Sequence, residues 1–126
     1  MTKSLRILIV DDHPTSRRVP ATLLRQQGWD VDIAADGESA LDKLAVAHFD
    51  VVLLDLSMPD MSGFEVCRHI RADPLLKHLR IYAYTAMSTV DGKLQSAGFD
   101  GVLEKPFSAE RLIAMLNGET NGNSTS

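Results

Sequence analysis

The chain contains two uninterrupted apolar runs, ILIV at residues 7–10 and VVLL at residues 51–54, and each is followed at once by aspartate. Apolar residues that do not alternate with polar ones are typical of strands covered on both faces, as in a parallel sheet. Three further segments also favour strands but are less purely apolar. Segments with helical periodicity lie between all of these strands. The alternation of strand and helix predicts an α/β doubly wound sheet with right-handed crossovers. The predicted strands are Arg6–Val10, Val31–Ala34, Val51–Leu54, Arg80–Tyr84 and Gly101–Leu103.

Capping and stop residues divide the five predicted helices. The residues that begin or end them are Pro14 and Gly28 for the first, Asp36 for the second, Gly63 for the third, Gly98 for the fourth, and Ser108 and Gly118 for the fifth. Apolar residues at helical spacing predict the buried faces. These are Ala40, Leu41, Leu44 and Ala45 in the second helix, Phe64, Val66, Cys67 and Ile70 in the third, and Leu112, Ile113 and Leu116 in the fifth.

Length and composition place the chain among single-domain soluble proteins. It has 126 residues, 44% of them hydrophobic and 24% charged, and its net charge of -4 argues against a nucleic-acid-binding surface. A lone cysteine, Cys67, cannot form an internal disulfide, which favours the cytoplasm. The sequence shows neither a secretory signal nor an apolar run that would span a membrane. We expect one domain over residues 1–118 and a disordered polar tail over 119–126.

Polar residues follow four of the predicted strands. Asp11 and Asp12 end the first strand, Asp55 the third and Thr85 the fourth, while Lys105 follows the fifth. In an open α/β sheet, binding sites form outside the carboxyl ends of the strands. We therefore expect these five side chains to meet at one edge of the sheet.

Three crowded carboxylates repel one another and need compensation. A hard divalent cation with oxygen ligands, above all Mg²⁺, would supply it, and so would the ammonium of Lys105. A metal, a lysine and a hydroxyl can together hold a phosphoryl group during transfer, and a carboxylate can accept that group as an acyl phosphate. These residue types predict Asp55 as the acceptor, the pair Asp11 and Asp12 as the metal site, and Lys105 and Thr85 as phosphate contacts.

Four sequence pieces, ILIVDD, DVVLLDLSMPDMSGFEV, YTA and LEKPF, occur in an order and spacing that resemble the receiver domain of two-component response regulators. The resemblance extends over residues 5 to 117. It implies a flavodoxin-like fold with strand order 2-1-3-4-5. It also implies a signalling domain rather than an enzyme acting on outside substrates, with a possible downstream protein partner or fused output domain.

The resemblance further implies the roles of individual residues. Asp55 would be phosphorylated by the phosphohistidine of a histidine kinase or a phosphotransfer protein. Mg²⁺ would be held by Asp12, Asp55 and the main-chain carbonyl of Ser57, with Asp11 acting through bound water. Lys105 and Thr85 would contact the phosphoryl oxygens. The remaining implication is a cis peptide bond between Lys105 and Pro106.

Several positions depart from the family pattern. Val102 stands where the family usually has an aromatic residue that moves on phosphorylation, and the stretch from Thr85 to Lys105 is shorter than usual. Pro20 falls inside the first helix, where it costs ~3 kcal/mol unless the helix kinks. Tyr82 and Tyr84 occupy a strand that is usually aliphatic, so their hydroxyls need partners if they are buried.

Other polar residues have simpler interpretations. Asp60 and Gly63 are expected in a turn. Arg17 and Arg18 either form a solvated face or contact a kinase partner. His13 stands beside the acidic pair, where it either lines the site or lies on the plain surface.

Two other classes of protein use similar residues. A haloacid-dehalogenase-like phosphohydrolase combines aspartates, Thr, Lys and Mg²⁺, but it needs a second aspartate two residues after its nucleophile, whereas this chain has DDHPT. A flavodoxin-like FMN carrier needs a Ser- and Thr-rich phosphate loop after the first strand. Two aspartates at that place would repel phosphate.

Overall fold

Five parallel strands form the sheet within the part of the chain that the computed structural model describes, namely residues 5–85, 94, 96–105 and 107–117. The strands are β1 (Arg6–Val10), β2 (Asp30–Ala34), β3 (Val51–Asp55), β4 (Arg80–Thr85) and β5 (Gly101–Glu104). Their order across the sheet is β2-β1-β3-β4-β5, and every neighbouring pair is parallel. The predicted strands and their order are confirmed.

The apolar runs are buried on both faces of the sheet, as their lack of alternation predicts. Leu8 and Val10 of β1 point into one hydrophobic core, whereas Ile7 and Ile9 point into the other. The described α-helices are α1 (Pro14–Gln26), α2 (Gly37–Val46), α3 (Gly63–Ala72) and α4 (Ala109–Leu116). Buried residues of α2 and α3 cover the first core, and those of α1 and α4 cover the second. The sheet is therefore doubly wound.

Side-chain caps fix where three helices begin. Asp36 accepts a hydrogen bond from the amide of Ser39 at 2.7 Å, and Ser108 accepts one from the amide of Arg111 at 3.0 Å, as predicted. Ser62 and Glu65 form a reciprocal capping box at the start of α3. Such caps satisfy amides that have no partner inside the helix, so each helix begins at a defined residue at the carboxyl edge of the sheet.

The buried faces of two helices differ in detail from the predicted ones. Ala45 is exposed, and Ile113 is only partly buried, while Met115 is buried beside Leu112 and Leu116. Residues three and four positions apart lie on one face of a helix. The face of α4 is therefore centred on 112, 115 and 116, and Ile113 lies at its margin.

Pro20 lies inside α1, but the helix continues to Gln26 and the proline is buried. Proline has no N–H and crowds the carbonyl four residues earlier, which here belongs to Ser16. The chain then leaves α1 through Gly28, whose φ of 86° is the left-handed conformation that glycine adopts without strain.

The fourth predicted helix falls mostly outside the described residues. Leu94, Ser96 and Ala97 are helical, and the helix stops at Gly98, where φ is 103°. Gly92, the C-terminal tail and Pro106, with its expected cis bond, are not among the described residues. Within the described part, no helix has both the length and the apolar character needed to cross a membrane.

Candidate functional site

Carboxylates from two neighbouring strands meet at the carboxyl edge of the sheet. Asp11 and Asp12 follow β1, and Asp55 ends β3, whose Leu54 pairs with Val10 of β1. One oxygen of each carboxylate and one ring nitrogen of His13 all lie within 4.8 Å of one another. Parallel pairing of β1 with β3 therefore forces like charges together, as the sequence predicts.

Asp11 is the most buried member of this cluster, with a side chain that is 0% exposed. Its Oδ1 accepts a hydrogen bond from the amide of His13 at 2.9 Å, and its Oδ2 lies 3.5 Å from Nζ of Lys105. Burial raises the pKa of Asp11, but the amide of His13, the hydroxyl of Ser16 and the charge of Lys105 together lower it below its usual value. Asp11 is thus held in its ionised form.

Asp55 has a less favourable environment for its charge. Its side chain is buried, and the amide of Ser57 donates to its Oδ1 at 3.1 Å. Burial raises the pKa of Asp55 and the neighbouring charge of Asp11 raises it further, which outweighs the stabilisation from Ser57 and Lys105. A cation beside Asp55 would relieve this cost.

The donor set of the cluster fits a hard divalent cation. Two of its oxygens, Oδ2 of Asp11 and Oδ1 of Asp12, are buried and accept no hydrogen bond from the residues that the structure describes. Nδ1 of His13 lies 3.0 Å from Oδ1 of Asp12, but this contact is not a hydrogen bond. Buried carboxylate oxygens without partners are rare because desolvating them is costly. Oxygen ligands in this number suit Mg²⁺, which keeps several of its waters.

Lys105 reaches the cluster from the end of β5. Its ammonium donates to Oγ of Ser16 at 2.8 Å and lies 4.1 Å from the centroid of the Tyr84 ring. The amide of Lys105 donates to the carbonyl of Thr85 at 2.8 Å, which ties the ends of β5 and β4 together. Thr85 is buried at this edge of the sheet. The five predicted residues therefore all lie at the carboxyl edge.

Tyr82 and Tyr84 are both buried, and both hydroxyls have partners, as their burial requires. The hydroxyl of Tyr84 donates to the carbonyl of Ser16 at 2.7 Å, while that of Tyr82 accepts from Nη1 of Arg80 at 3.4 Å. Val102 is partly buried and packs against the core covered by α2 and α3. It lies on the opposite side of the sheet from Tyr84, whose ring is in the other core.

Besides Ser16, which contacts Lys105, two site-supporting residues were missed by the sequence analysis. Gly63 is buried at the start of α3 and its amide donates to the carbonyl of Leu56; a Cβ there would overlap the carbonyl oxygen of Asp55 and approach Cα of Leu56 to 2.9 Å. Arg17 is only partly exposed, because its Nη1 donates to the carbonyl of Asp11 at 3.0 Å. Gly63 is more than a turn residue, and Arg17 is not on a purely solvated face. Neither contact has a local sequence signature.

Comparisons with known proteins place this arrangement among signalling domains. The family described as "Response regulator receiver domain" matches residues 7–117. The chain is 40% identical to the chemotaxis protein CheY-3 of Vibrio cholerae over 93% of this chain and 92% of that protein. No comparison supports the phosphohydrolase alternative.

Solved structures agree in fold. The chemotaxis protein CheY4 of Vibrio cholerae superposes with a TM-score of 0.86 at 34% identity, covering 92% of this chain and 98% of that one. The response regulator TrrA of Thermotoga maritima, solved in complex with Mg²⁺ and BeF, superposes with a TM-score of 0.82 at 35% identity, covering 94% and 98% of the two chains. The predicted flavodoxin-like fold is confirmed.

Proposed function

This chain belongs to the response regulator receiver domain family of two-component systems, and we propose that within it Asp55 is the residue that accepts the phosphoryl group. The observation that carries the proposal is the position of Asp55: a buried carboxylate at the end of β3, within 4.8 Å of two other carboxylates and facing the charge of Lys105. A buried carboxylate beside other carboxylates is costly, and groups with such a raised pKa cluster at functional sites.

The donor is the phosphohistidine of a histidine kinase or of a histidine phosphotransfer protein. An oxygen of the Asp55 carboxylate attacks phosphorus, the P–O bond forms and the P–N bond of the donor breaks. The electron pair of that bond stays on the donor imidazole, which takes up a proton from solvent. The product on this chain is an acyl phosphate.

Asp12, Asp55 and the main-chain carbonyl of Ser57 would hold Mg²⁺, with Asp11 acting through bound water. When bound, Mg²⁺ neutralises the carboxylates and the charge of the phosphoryl group. Lys105 stabilises the phosphoryl oxygens by a charge-assisted hydrogen bond, and the Thr85 hydroxyl donates to another oxygen. Arg17 and Gly63 keep the ends of β1 and β3 in place beside these groups.

The outcome of phosphorylation is a change in partner binding. We propose that the domain, over residues 1–118, has no activity on outside substrates beyond its own phosphorylation and dephosphorylation. Residues 119–126 would act as a polar tail. A cytoplasmic setting suits the buried free thiol of Cys67.

Intact mass spectrometry tests the proposal. The protein is mixed with Mg²⁺ and a small phosphodonor such as phosphoramidate, and we expect one added phosphoryl group that is stable to acid but labile to hydroxylamine. Asp55→Asn should take up none, because an amide cannot form an acyl phosphate. Asp60→Asn, at an exposed aspartate outside the cluster, is the matched control and should be phosphorylated like the wild type. Equal uptake by all three proteins would contradict the proposal.

A further inference from the structure

Two unusual residues, Pro20 in α1 and Tyr84 in β4, are linked through a single carbonyl. In an α-helix the amide of residue 20 would donate to the carbonyl of residue 16, but proline has no N–H to donate. The carbonyl of Ser16 therefore lacks its helical partner. The hydroxyl of Tyr84 donates to this same carbonyl oxygen at 2.7 Å. Pro20 thus leaves an acceptor that Tyr84 occupies.

This hydrogen bond fixes the position of the Tyr84 ring. The ring is 2% exposed and packs at 5.7 Å, centroid to centroid, against Phe107. Burial raises the pKa of Tyr84, so the hydroxyl keeps the proton that it donates. The ring therefore cannot swing away from this place without breaking a buried hydrogen bond.

The ammonium of Lys105 lies on this fixed ring. Nζ is 4.1 Å from the ring centroid, within the range of a cation–π contact, and it donates to Oγ of Ser16 at 2.8 Å. The two residues that hold the ammonium, Tyr84 and Ser16, are therefore the same two that the hydroxyl–carbonyl hydrogen bond joins. A free lysine side chain samples many rotamers, so confining it beside Asp11 reduces the entropy that would be lost when it binds an oxyanion.

From this geometry we infer that Tyr84 and Ser16 are positioning residues for Lys105, and that Pro20 contributes by freeing the Ser16 carbonyl. The inference rests on the proposed function, because it assigns these residues to the lysine that would contact the phosphoryl group. An ammonium has three N–H groups. Ser16 takes one and Asp11 is within reach of the second. Among the described residues the third has no hydrogen-bond acceptor, so it can donate to a phosphoryl oxygen.

Beryllofluoride affinity in the presence of Mg²⁺, measured by calorimetry, tests the inference in a double-mutant cycle. Tyr84→Leu removes ring and hydroxyl and should weaken binding about tenfold. Tyr84→Phe keeps the ring and should lose about twofold to threefold. In a Lys105→Met background, Tyr84→Leu should have almost no further effect, since the residue that it positions is gone. An equal loss in both backgrounds would show a merely structural role and overturn the inference.

A spectroscopic measurement keeps the inference testable if Tyr84→Leu folds poorly. The ring should shift the NMR signals of the Lys105 ε-methylene protons upfield in the wild type and in Tyr84→Phe. Ser16→Ala should reduce that shift and weaken beryllofluoride binding about threefold. Pro20→Ala restores an N–H that competes for the Ser16 carbonyl, so Tyr84→Phe should cost less in that background.

The outcomes separate this inference from the proposed function. Wild type that fails to bind beryllofluoride would overturn the proposed function and this role together. Wild type that binds, with no upfield shift of the lysine protons or no loss in Tyr84→Leu, would overturn the positioning role alone.

Discussion

The first residue of α3, Gly63, touches the main chain of Asp55 so closely that a Cβ on Gly63 would overlap the carbonyl oxygen of Asp55. The amide of Gly63 also donates to the carbonyl of Leu56 at 3.2 Å. Helix α3 can therefore begin where it does only if this position has no side chain, and the beginning of α3 in turn fixes the end of β3.

Gly63→Ala should consequently damage the site as well as the fold. The added methyl group must push the chain at Asp55 and Leu56, and overpacking of this kind costs about 1–3 kcal/mol of unfolding free energy. We expect a lower melting temperature and a phosphoryl uptake rate that falls about tenfold or more.

Gly28→Ala is the control for Gly63→Ala. It introduces strain at a positive φ, costing about 1 kcal/mol, at the opposite edge of the sheet. It should lower the melting temperature without slowing uptake at a temperature where both variants are folded. If the two variants lost uptake equally, the loss would reflect instability and not the contact with Asp55.

Asp55→Asn should raise the melting temperature while it abolishes phosphoryl uptake. The pKa of Asp55 is raised by burial and by Asp11, so the ionised form destabilises the native state at neutral pH. A neutral amide of nearly the same shape removes that repulsion. Because 1 kcal/mol shifts the melting temperature of a domain of this size by about 4 °C, we expect a rise of several degrees in thermal unfolding. A fall in melting temperature would contradict this account of the charge cluster.

Mg²⁺ should stabilise the wild type and do so through Asp12. If the dissociation constant is about 1 mM, then 10 mM Mg²⁺ adds about 1.4 kcal/mol to the unfolding free energy by mass action. Thermal unfolding with and without Mg²⁺ measures this gain. The gain should vanish in Asp12→Ala and persist in Asp60→Ala, whose aspartate lies outside the cluster. A full gain in Asp12→Ala would remove Asp12 from the metal site.

Val102 should limit how far phosphorylation changes the domain. It lies at the position of the family's mobile aromatic residue, packed against the core of α2 and α3. Amide exchange with beryllofluoride and Mg²⁺ should change most over residues 85 to 93, which apart from Thr85 lie outside the described part of the chain, and little over 100 to 116. A ligand that binds two conformations of a protein with similar affinity shifts their populations only slightly, so we expect a small response to beryllofluoride.

Val102→Tyr provides the matched gain-of-response variant. It restores an aromatic ring at a partly exposed position, so it should extend the exchange changes into β5 and α4. A strong change there in the wild type already would show that the aromatic residue is dispensable in this chain.

The fold could be predicted because its strands have a strong local signature. ILIV and VVLL are apolar throughout, and the carboxylates that follow them fix which edge of the sheet carries the site. The expected gathering of Asp11, Asp55 and Lys105 follows from strand order alone. Caps such as Asp36 are local too, since the donor is three residues away.

The remaining contacts could not be predicted because they join residues with no local relation. Pro20 and Tyr84 are each a departure from the family pattern. Pro20 leaves the Ser16 carbonyl without its helical donor and Tyr84 supplies another, which only the packing of β4 against α1 reveals. Arg17 and Gly63 likewise lie against main-chain carbonyl oxygens. Every residue has such an oxygen, so no residue type in the sequence points to these contacts. The roles of Arg17 and Gly63 therefore depend on how the helices pack against the sheet, which local sequence patterns do not determine.

The bond between Lys105 and Ser16 spans 89 residues of sequence, and the bond between Tyr84 and Ser16 spans 68. Contacts between such distant residues form slowly, because the loop between them must close before they add any stability. The place of Lys105 beside Ser16 and the Tyr84 ring therefore depends on α1, β4 and β5 being packed together. We therefore expect a chain that has not completed the sheet to lack both contacts of the lysine. The proposed contact of Lys105 with a phosphoryl group would thus require the completed sheet.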